Sequence, residues 1–232
     1  MKTLVIIPAY NEEANIVRTV ENLKRACPQI DYIVINDGSS DSTGPICREQ
    51  GYPMIDLPIN LGLAGAFQTG MRFAQEQGYD RVLQFDGDGQ HDPEFIREME
   101  DTMERTGSDI VIGSRFCTQK KPLTLRMLGS RMLSIAILLT TGKKVSDPTS
   151  GMRLYNRSMI ALFAGNLNFG PEPDTISYLI AAGASVSEVQ VQMHERIAGT
   201  SYLSMGRSVR YMLHMFISIL LIQFFRQRRN AL

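Results

Sequence analysis

The chain has 232 residues, enough for one domain with a sizeable core. Apolar residues make up 44% and charged residues 21%, which excludes wholesale disorder. Lys plus Arg and Asp plus Glu stand at 24 each, so the net charge is zero and a global basic footprint for nucleic acid is absent.

Thr3–Pro8 is a short β-branched run closed by proline and reads as the first strand. It is too short for a signal-peptide core and has no small-residue cleavage site, so no leader is expected. Glu12–Ala26 places Ile16, Val17, Val20 and Leu23 on one helical stripe, with the acidic pair Glu12 and Glu13 at the expected start. Asp31–Asn36 is a second strand, followed by a turn at 38–43 rich in N-cap residues and then a helix. Met54–Leu57 is a weak third strand, and Gly62–Gln77 a helix. Arg81–Phe85 is a buried strand that ends at Asp86. Pro93–Arg105 is a helix with proline in its first turn, and Asp109–Gly113 another strand. This alternation implies βαβ units and a mostly parallel sheet covered on both sides, an α/β fold. Ligands in such sheets bind at the carboxyl ends of the strands. The clusters Pro8–Glu12, Asn36–Ser40, Asp86–Asp92 and Gly113–Arg115 each follow a strand, so four chemically loaded loops are expected to converge on one edge.

Beyond residue 114 the pattern is less regular. Leu123–Thr141 reads as an amphipathic helix carrying Arg126 and Arg131, Ser146–Arg153 as turns, Thr175–Ala182 as a helix and Val186–Val191 as a strand. Cys27, Cys47 and Cys117 are odd in number, widely spaced and without CxxC pattern, as expected of reduced thiols in a cytoplasmic protein. After Glu195 no acidic residue follows, whereas Arg196, Arg207, Arg210, Arg226, Arg228 and Arg229 do. Between them Tyr211–Phe225 is mostly apolar. As a helix it reaches about 22 Å, short of the about 30 Å hydrocarbon core. It is expected to lie on a membrane surface or to dock on a small membrane-protein partner. Packing on the protein's own core is the alternative reading, and a short span the third. The chain is therefore read as a domain over 1–203 with a basic amphipathic helix over 204–232.

Asp86-Gly-Asp-Gly-Gln-His-Asp92 gathers three carboxylates, a glutamine and an imidazole in seven residues. Asp86 and Asp88, two apart after a buried strand, can aim oxygens at one hard divalent cation, Mg2+ or Mn2+, that leaves positions for phosphate oxygens. By itself such a pair also occurs in ordinary Asp/Gly surface turns. An EF-hand loop is disfavoured by Arg97 at the twelfth position, where glutamate is needed.

Taken with Val5-Ile-Ile-Pro-Ala-Tyr-Asn-Glu-Glu13, Val34-Ile-Asn-Asp-Gly-Ser-Ser-Asp41, Asn60-Leu-Gly-Leu63 and Gly113-Ser-Arg115, this cluster resembles the family 2 glycosyltransferases of GT-A fold, a Rossmann-like mostly parallel sheet flanked by helices. Asp147-Pro-Thr-Ser-Gly-Met-Arg153 and Glu195-Arg-Ile-Ala-Gly-Thr-Ser201 are similar to the dolichol-phosphate mannosyltransferase and bacterial polyprenyl-phosphate glycosyltransferase subgroup. The resemblance runs over residues 3–203. It implies that Pro8, Ala9, Tyr10, Asn11, Glu12 and Asp37 hold the base and ribose of a nucleotide-sugar, with Asp86, Gly87 and Asp88 at its diphosphate. It makes Asp86, Asp88 and Gln90 the metal ligands. Arg115 is placed for phosphate, and Arg126 and Ser130 for a lipid phosphate acceptor. Arg196 would close over the reacting phosphates, with Asp88 and Arg115 as its catalytic companions. Tyr202 stands where the subgroup usually has lysine. His91 is expected to pack its loop, while His194 and His214 have no assigned part.

The implied reaction is inverting, metal-dependent transfer of a hexose from a UDP- or GDP-sugar to a polyprenyl phosphate, on the inner face of the cell membrane. A saccharide acceptor is the alternative. It would need a general base, for which Glu172 and Asp174 are the candidates. A sugar-1-phosphate nucleotidyltransferase is disfavoured because Pro8–Glu12 is neither glycine-rich nor arginine-bearing. Intact Asp86, Asp88 and Arg115 speak against a non-catalytic scaffold.

Overall fold

The computed structural model describes residues 1–165, 170–194 and 205–222. Seven strands form one sheet in the order β3-β2-β1-β4-β6-β5-β7. They are β1 (Thr3–Ala9), β2 (Asp31–Asn36), β3 (Met54–Asp56), β4 (Arg81–Gln84), β5 (Ile110–Ser114), β6 (Arg153–Asn156) and β7 (Val186–Gln190). All run parallel except β6, which is antiparallel to β4 and β5. The helices are α1 (Ile16–Ala26), α2 (Thr43–Glu49), α3 (Gly62–Glu76), α4 (Ile96–Thr106), α5 (Leu125–Thr141), α6 (Arg157–Gly165), α7 (Pro173–Ala181) and α8 (Met205–Ile217), the last continued by a π-helical turn to Ile222.

The alternation of inward side chains along each strand feeds two cores. On one face Val5, Ile7, Val34, Leu83 and Val111 pack under α1, α2 and α4. On the other Leu4, Ile6, Ile33, Ile35, Val82 and Ile112 pack under α3 and the α5–α8 group, around the aromatic trio Phe67, Tyr155 and Phe163.

Two expectations are corrected. Helix α1 starts at Ile16, because Glu12 and Glu13 bridge to the next loop instead of opening the helix. The Glu12 amide donates to Thr43 Oγ1 (2.8 Å), and Glu13 Oε2 accepts from the Ser42 amide (2.9 Å). The turn-rich 146–153 segment ends in a strand, β6, for which no periodicity was visible. The helix α6 after it was also unread. Helix α8 packs on α5 and α7, burying Met215 and Ile219 in the larger core. Ser218 Oγ donates to Asp174 Oδ2 at 2.7 Å, tying the end of α8 to α7. The opposite face of α8 leaves Leu213, Ile217 and Leu221 exposed. Among the described residues no helix is long and apolar enough to cross a membrane. Residues 223–232, with Arg226, Arg228 and Arg229, lie outside the described residues.

Candidate active site

Parallel strands bring the loops after β1, β2, β4, β5 and β7 to one edge of the sheet. The segment before antiparallel β6 joins them there, since Arg153 pairs in register with both Gln84 and Ile112.

The first two loops are welded together. Pro8 and Ala9 end β1, where the Ala9 carbonyl accepts from the Asp37 amide (2.8 Å). Tyr10 follows, half-buried. Asn11 is the one described non-glycine residue with left-handed backbone (φ 55°), a conformation asparagine tolerates. Its side-chain oxygen accepts from the Ser40 amide (2.9 Å), and its own amide donates to Ser39 Oγ (3.0 Å). Glu12 holds Asn15 through Oε2 (2.7 Å). Asp37 is buried and its Oδ1 accepts from the Leu61 amide (2.7 Å), so it fixes the 59–62 loop. Gly38 (φ 63°) lies against that loop, where a Cβ would stand 2.5 Å from the Ile59 and Asn60 backbone.

The carboxylate loop follows β4. The Asp86 side chain is 36% exposed. Gln84 Nε2 donates to its Oδ1 at 3.3 Å. His91 is buried, accepts the Asp86 amide on Nδ1 (3.0 Å) and so carries its proton on Nε2, 3.6 Å from Asp86 Oδ2. Its ring meets Phe85 edge-on at 5.3 Å. The imidazole thus shapes the loop and bears directly on one carboxylate. Gly87 lies close to β1, where a Cβ would come within 3.0 Å of the Pro8 carbonyl. Asp88 Oδ1 accepts from the Gln90 amide (3.0 Å), and Gln90 Nε2 reaches the His194 carbonyl (3.4 Å). His194 Nε2 stands 3.4 Å from Asp92 Oδ2. Among the described residues no three His, Cys, Asp or Glu side chains close a metal cage by themselves.

Arg115 follows β5. Its Nε and Nη2 grip both oxygens of Asp147 (2.6 and 2.8 Å), and Nη2 also donates to Thr149 Oγ1 (3.1 Å). Asp147 is fully buried, whereas the Arg115 side chain is 22% exposed. Behind them Glu188 on β7 accepts the amides of Ser146 (2.8 Å) and Asp147 (3.0 Å). Gly151, four residues past Asp147, lies under the Asp86 carboxylate, where a Cβ would stand 2.3 Å from Oδ2. One segment therefore aims the arginine and supports the aspartate.

On the far side of Arg115 its guanidinium carbon lies 5.2 Å from the Phe116 ring centroid, and Lys121 Nζ lies 5.5 Å from the same ring. Ser130 is fully buried on α5 and meets Lys121 Nζ at 2.9 Å. Burial lowers the Lys121 pKa, and the charges of Arg115 and Arg131 push the same way. Burial, then the neighbouring Asp174, raise that of Glu172. Arg196, Tyr202 and the side chain of Arg126 lie outside the described residues, so the structure brings together Asp86, Asp88, Gln90, Arg115 and Ser130 of the expected set and leaves the rest of the acceptor group undescribed. His214 is exposed on α8.

Sequence reasoning gave no role to Asp147, Thr149, Glu188, Gly151 or Lys121. Asp147 and Gly151 stood inside a motif that carried the resemblance, which was their only signal. Glu188 lies in a strand of ordinary pattern.

The family profile described as glycosyl transferase family 2 matches residues 4–163. Among curated proteins, polyprenol monophosphomannose synthase of Mycolicibacterium smegmatis is 30% identical over 222 residues, covering 90% of this chain and 83% of that protein. Undecaprenyl-phosphate mannosyltransferase of Micrococcus luteus is 30% identical over 218 residues, covering 89% of each. Among solved structures, glucosyl-3-phosphoglycerate synthase of Mycobacterium tuberculosis has a TM-score of 0.66 in its phosphoglyceric acid complex, at 19% identity, covering 94% of this chain and 80% of that one. Its complex with Mn2+, UDP and glucosyl-3-phosphoglycerate gives 0.60 at 18% identity, with the same coverage. The chain belongs to glycosyltransferase family 2 and is a glycosyltransferase enzyme of GT-A fold.

Proposed function

We propose that this enzyme transfers a hexose from a UDP- or GDP-sugar to the phosphate of a polyprenyl phosphate, with inversion at the anomeric carbon. The single observation that carries the acceptor is the two-faced character of α5. Its inner side holds Ser130 against the Lys121 ammonium. Its outer side exposes Leu128, Met132, Ile135, Leu138 and Leu139. A lipid that ends in a phosphate presents that same pair of chemistries. The two curated relatives are named for mannosyl transfer to polyprenyl carriers, which supports the same reading.

Asp86, Asp88 and Gln90 fit a divalent ion, Mg2+ or Mn2+. All three offer hard oxygens, and Asp86 is half-exposed at a strand end. Mg2+ sites commonly use one or two carboxylates and take the remaining ligands from substrate phosphates and water. Such an ion supplies Lewis-acid neutralisation of the leaving nucleoside diphosphate. Asp37, Asn11 and the loops they fasten form the wall for base and ribose. Arg115, pre-aimed by Asp147, offers its exposed edge to phosphate charge that grows in the transition state. The family resemblance assigns Arg126 and Arg196 to the acceptor and leaving-group phosphates; the Arg126 side chain and Arg196 lie outside the described residues. A phosphate acceptor is already an anion, so no general base is required. Asp174, the candidate base, is engaged by Ser218.

The outer faces of α5 and α8 together form an apolar surface suited to the boundary of a bilayer, with Arg210 at one end. This supports peripheral attachment on the cytoplasmic face. The alternative acceptor, a saccharide, draws on one observation, the raised Glu172 pKa, which suits a base. Incubation with labelled sugar nucleotides and undecaprenyl phosphate, with Mg2+, Mn2+ or chelator, separates the two. A chelator-sensitive, solvent-extractable glycolipid is expected. A water-soluble glycan as the sole product overturns the proposal.

A further inference from the structure

The loop between β5 and α5 carries a cation that no sequence motif announced. Lys121 Nζ donates to Ser130 Oγ (2.9 Å) and Ser134 Oγ (3.2 Å), one turn apart on α5. An ammonium has three donors, and the third has no partner among the described residues. The Lys121 carbonyl is itself held by Arg131 Nη2, so the backbone beneath the side chain is fixed. The Phe116 ring centroid lies 5.5 Å from this ammonium and 5.2 Å from the Arg115 guanidinium carbon.

The charges around it do not cancel. Arg115, Lys121 and Arg131 face Asp147 and Glu188. Both carboxylates are already committed, Asp147 to Arg115 and Thr149, Glu188 to the backbone amides of Ser146 and Asp147. No carboxylate lies within ion-pair distance of Lys121 among the described residues. A half-buried ammonium beside two other cations, hydrogen-bonded only to two neutral hydroxyls and set against one aromatic ring, is an arrangement that a phosphate would complete. Burial lowers the Lys121 pKa, and an arriving anion would offset that desolvation.

We propose that Lys121 binds the phosphate of the lipid acceptor directly, and that Ser130 and Ser134 are positioning residues that aim its ammonium. Ser130, fully buried, meets the acceptor through Lys121. This inference rests on the polyprenyl phosphate reading and assigns that substrate's charged end to one residue. The same cation could meet the phosphodiester of a bilayer phospholipid, so the test includes both sources.

The full-length enzyme and its Lys121→Ala, Lys121→Arg and Ser134→Ala variants are assayed with undecaprenyl phosphate in detergent micelles, varying donor and acceptor separately. Thermal unfolding confirms that each variant folds. For Lys121→Ala the acceptor KM is expected to rise about tenfold or more, while donor KM and nucleoside diphosphate affinity stay within about twofold. Lys121→Arg is expected to recover most of the loss, because the charge is kept. Ser134→Ala is expected to give a smaller rise in the same constant. An unchanged acceptor KM in Lys121→Ala, or an equal loss for both substrates, overturns the assignment. Binding to phosphatidylglycerol vesicles with and without undecaprenyl phosphate separates the two phosphate sources. If Lys121→Ala weakens both equally, the residue serves the bilayer and the assignment fails, although wild-type transfer to prenyl phosphate still stands. If the wild type makes no glycolipid at all, the acceptor reading fails first and the assignment falls with it.

Discussion

Replacing Gly151 by alanine tests the geometry of the carboxylate loop without removing any functional group. An added Cβ would stand 2.3 Å from Asp86 Oδ2, 3.1 Å from its Cγ and 3.2 Å from Oδ1. The Gly151 backbone cannot retreat easily. Ser150 Oγ is bonded to the Gly113 carbonyl, and the Gly113 amide to the Met152 carbonyl (2.9 Å), so both flanks are tied to β5. The carboxylate must therefore swing away, by about 1 Å if ordinary van der Waals spacing is to be restored. It would leave Gln84 Nε2 and His91 Nε2, which now border it at 3.3 and 3.6 Å. A displacement of that size at a reacting centre can cost about 10²-fold in rate, or about 2.7 kcal/mol of barrier. Folding should barely notice, because the backbone at Gly151 is not left-handed and the atom that yields is the end of a side chain. The change in unfolding free energy is expected within about 1 kcal/mol. The assay is kcat/KM for sugar transfer across a metal titration, beside thermal unfolding. A Gly151→Ala enzyme with wild-type turnover and metal dependence would refute the claim that Asp86 works from this position.

Other outcomes follow from the same contacts. Asp147→Asn strips the charge from a fully buried partner of Arg115, and urea unfolding should register a loss of about 3–5 kcal/mol; a loss below about 1 kcal/mol would mean that the arginine is held otherwise. Leu139→Glu, at a residue 76% exposed on α5, should weaken vesicle partition by more than about tenfold, since about 1.5–3 kcal/mol attends burial of one such side chain; unchanged sedimentation with vesicles would remove this face from the membrane. The Glu172 carboxyl has its pKa raised by burial and by Asp174, so it costs stability increasingly as pH climbs above the ordinary value of 4.5. Glu172→Gln should therefore raise Tm at neutral pH and lose that gain below pH 4.5, and a gain independent of pH would contradict the cause given. Arg153→Met should leave stability equal or higher while lowering kcat/KM by about tenfold, and a large loss of stability would show that the guanidinium is better paired than its contacts indicate.

The parts of the fold legible in the sequence are those whose residues answer to their nearest neighbours. Strands β1, β2, β4 and β5 are apolar runs ended by polar loops, and periodicity finds them. Strand β6 escapes because Arg-Leu-Tyr-Asn places at its head an arginine that is 1% exposed, where burial is least expected of that residue type. Glu12 and Glu13 mislead for a related reason. A local rule assigns them to a helix start, whereas their partners sit 29–31 residues away. The candidate site divides along the same line. Asp86, Asp88 and Gln90 are contiguous and visible as a cluster. Asp147 reaches Arg115 across 32 residues, and Glu188 reaches Asp147 across 41. No window of sequence contains those pairs. Lys121 reads as an ordinary loop lysine until α5 folds back and sets two serines beneath it.

The edge of the sheet that bears the site is also where the fold leaves polar groups unsatisfied. Among the described residues the buried side-chain atoms without a hydrogen-bond partner are Asn36 Oδ1, Gln84 Oε1, Arg153 Nε and Nη1, and the Tyr155 hydroxyl. Asn36 ends β2, Gln84 ends β4 and Arg153 opens β6, so three of these four residues sit where the loops converge. Each such group lowers stability by about 1–3 kcal/mol relative to a satisfied one, and a random scatter of packing faults would not gather there. Arg153 explains the arrangement best. Its Nη2 donates to the Pro148 carbonyl at 2.8 Å, between the two residues that grip Arg115. Gln84, its register partner, donates to Asp86. One buried guanidinium thus braces the segment that grips Arg115, and the glutamine paired with its backbone steadies the Asp86 carboxylate. An apolar side chain would pack there at lower cost and brace nothing, which is why stability and turnover are expected to move apart when Arg153 is replaced.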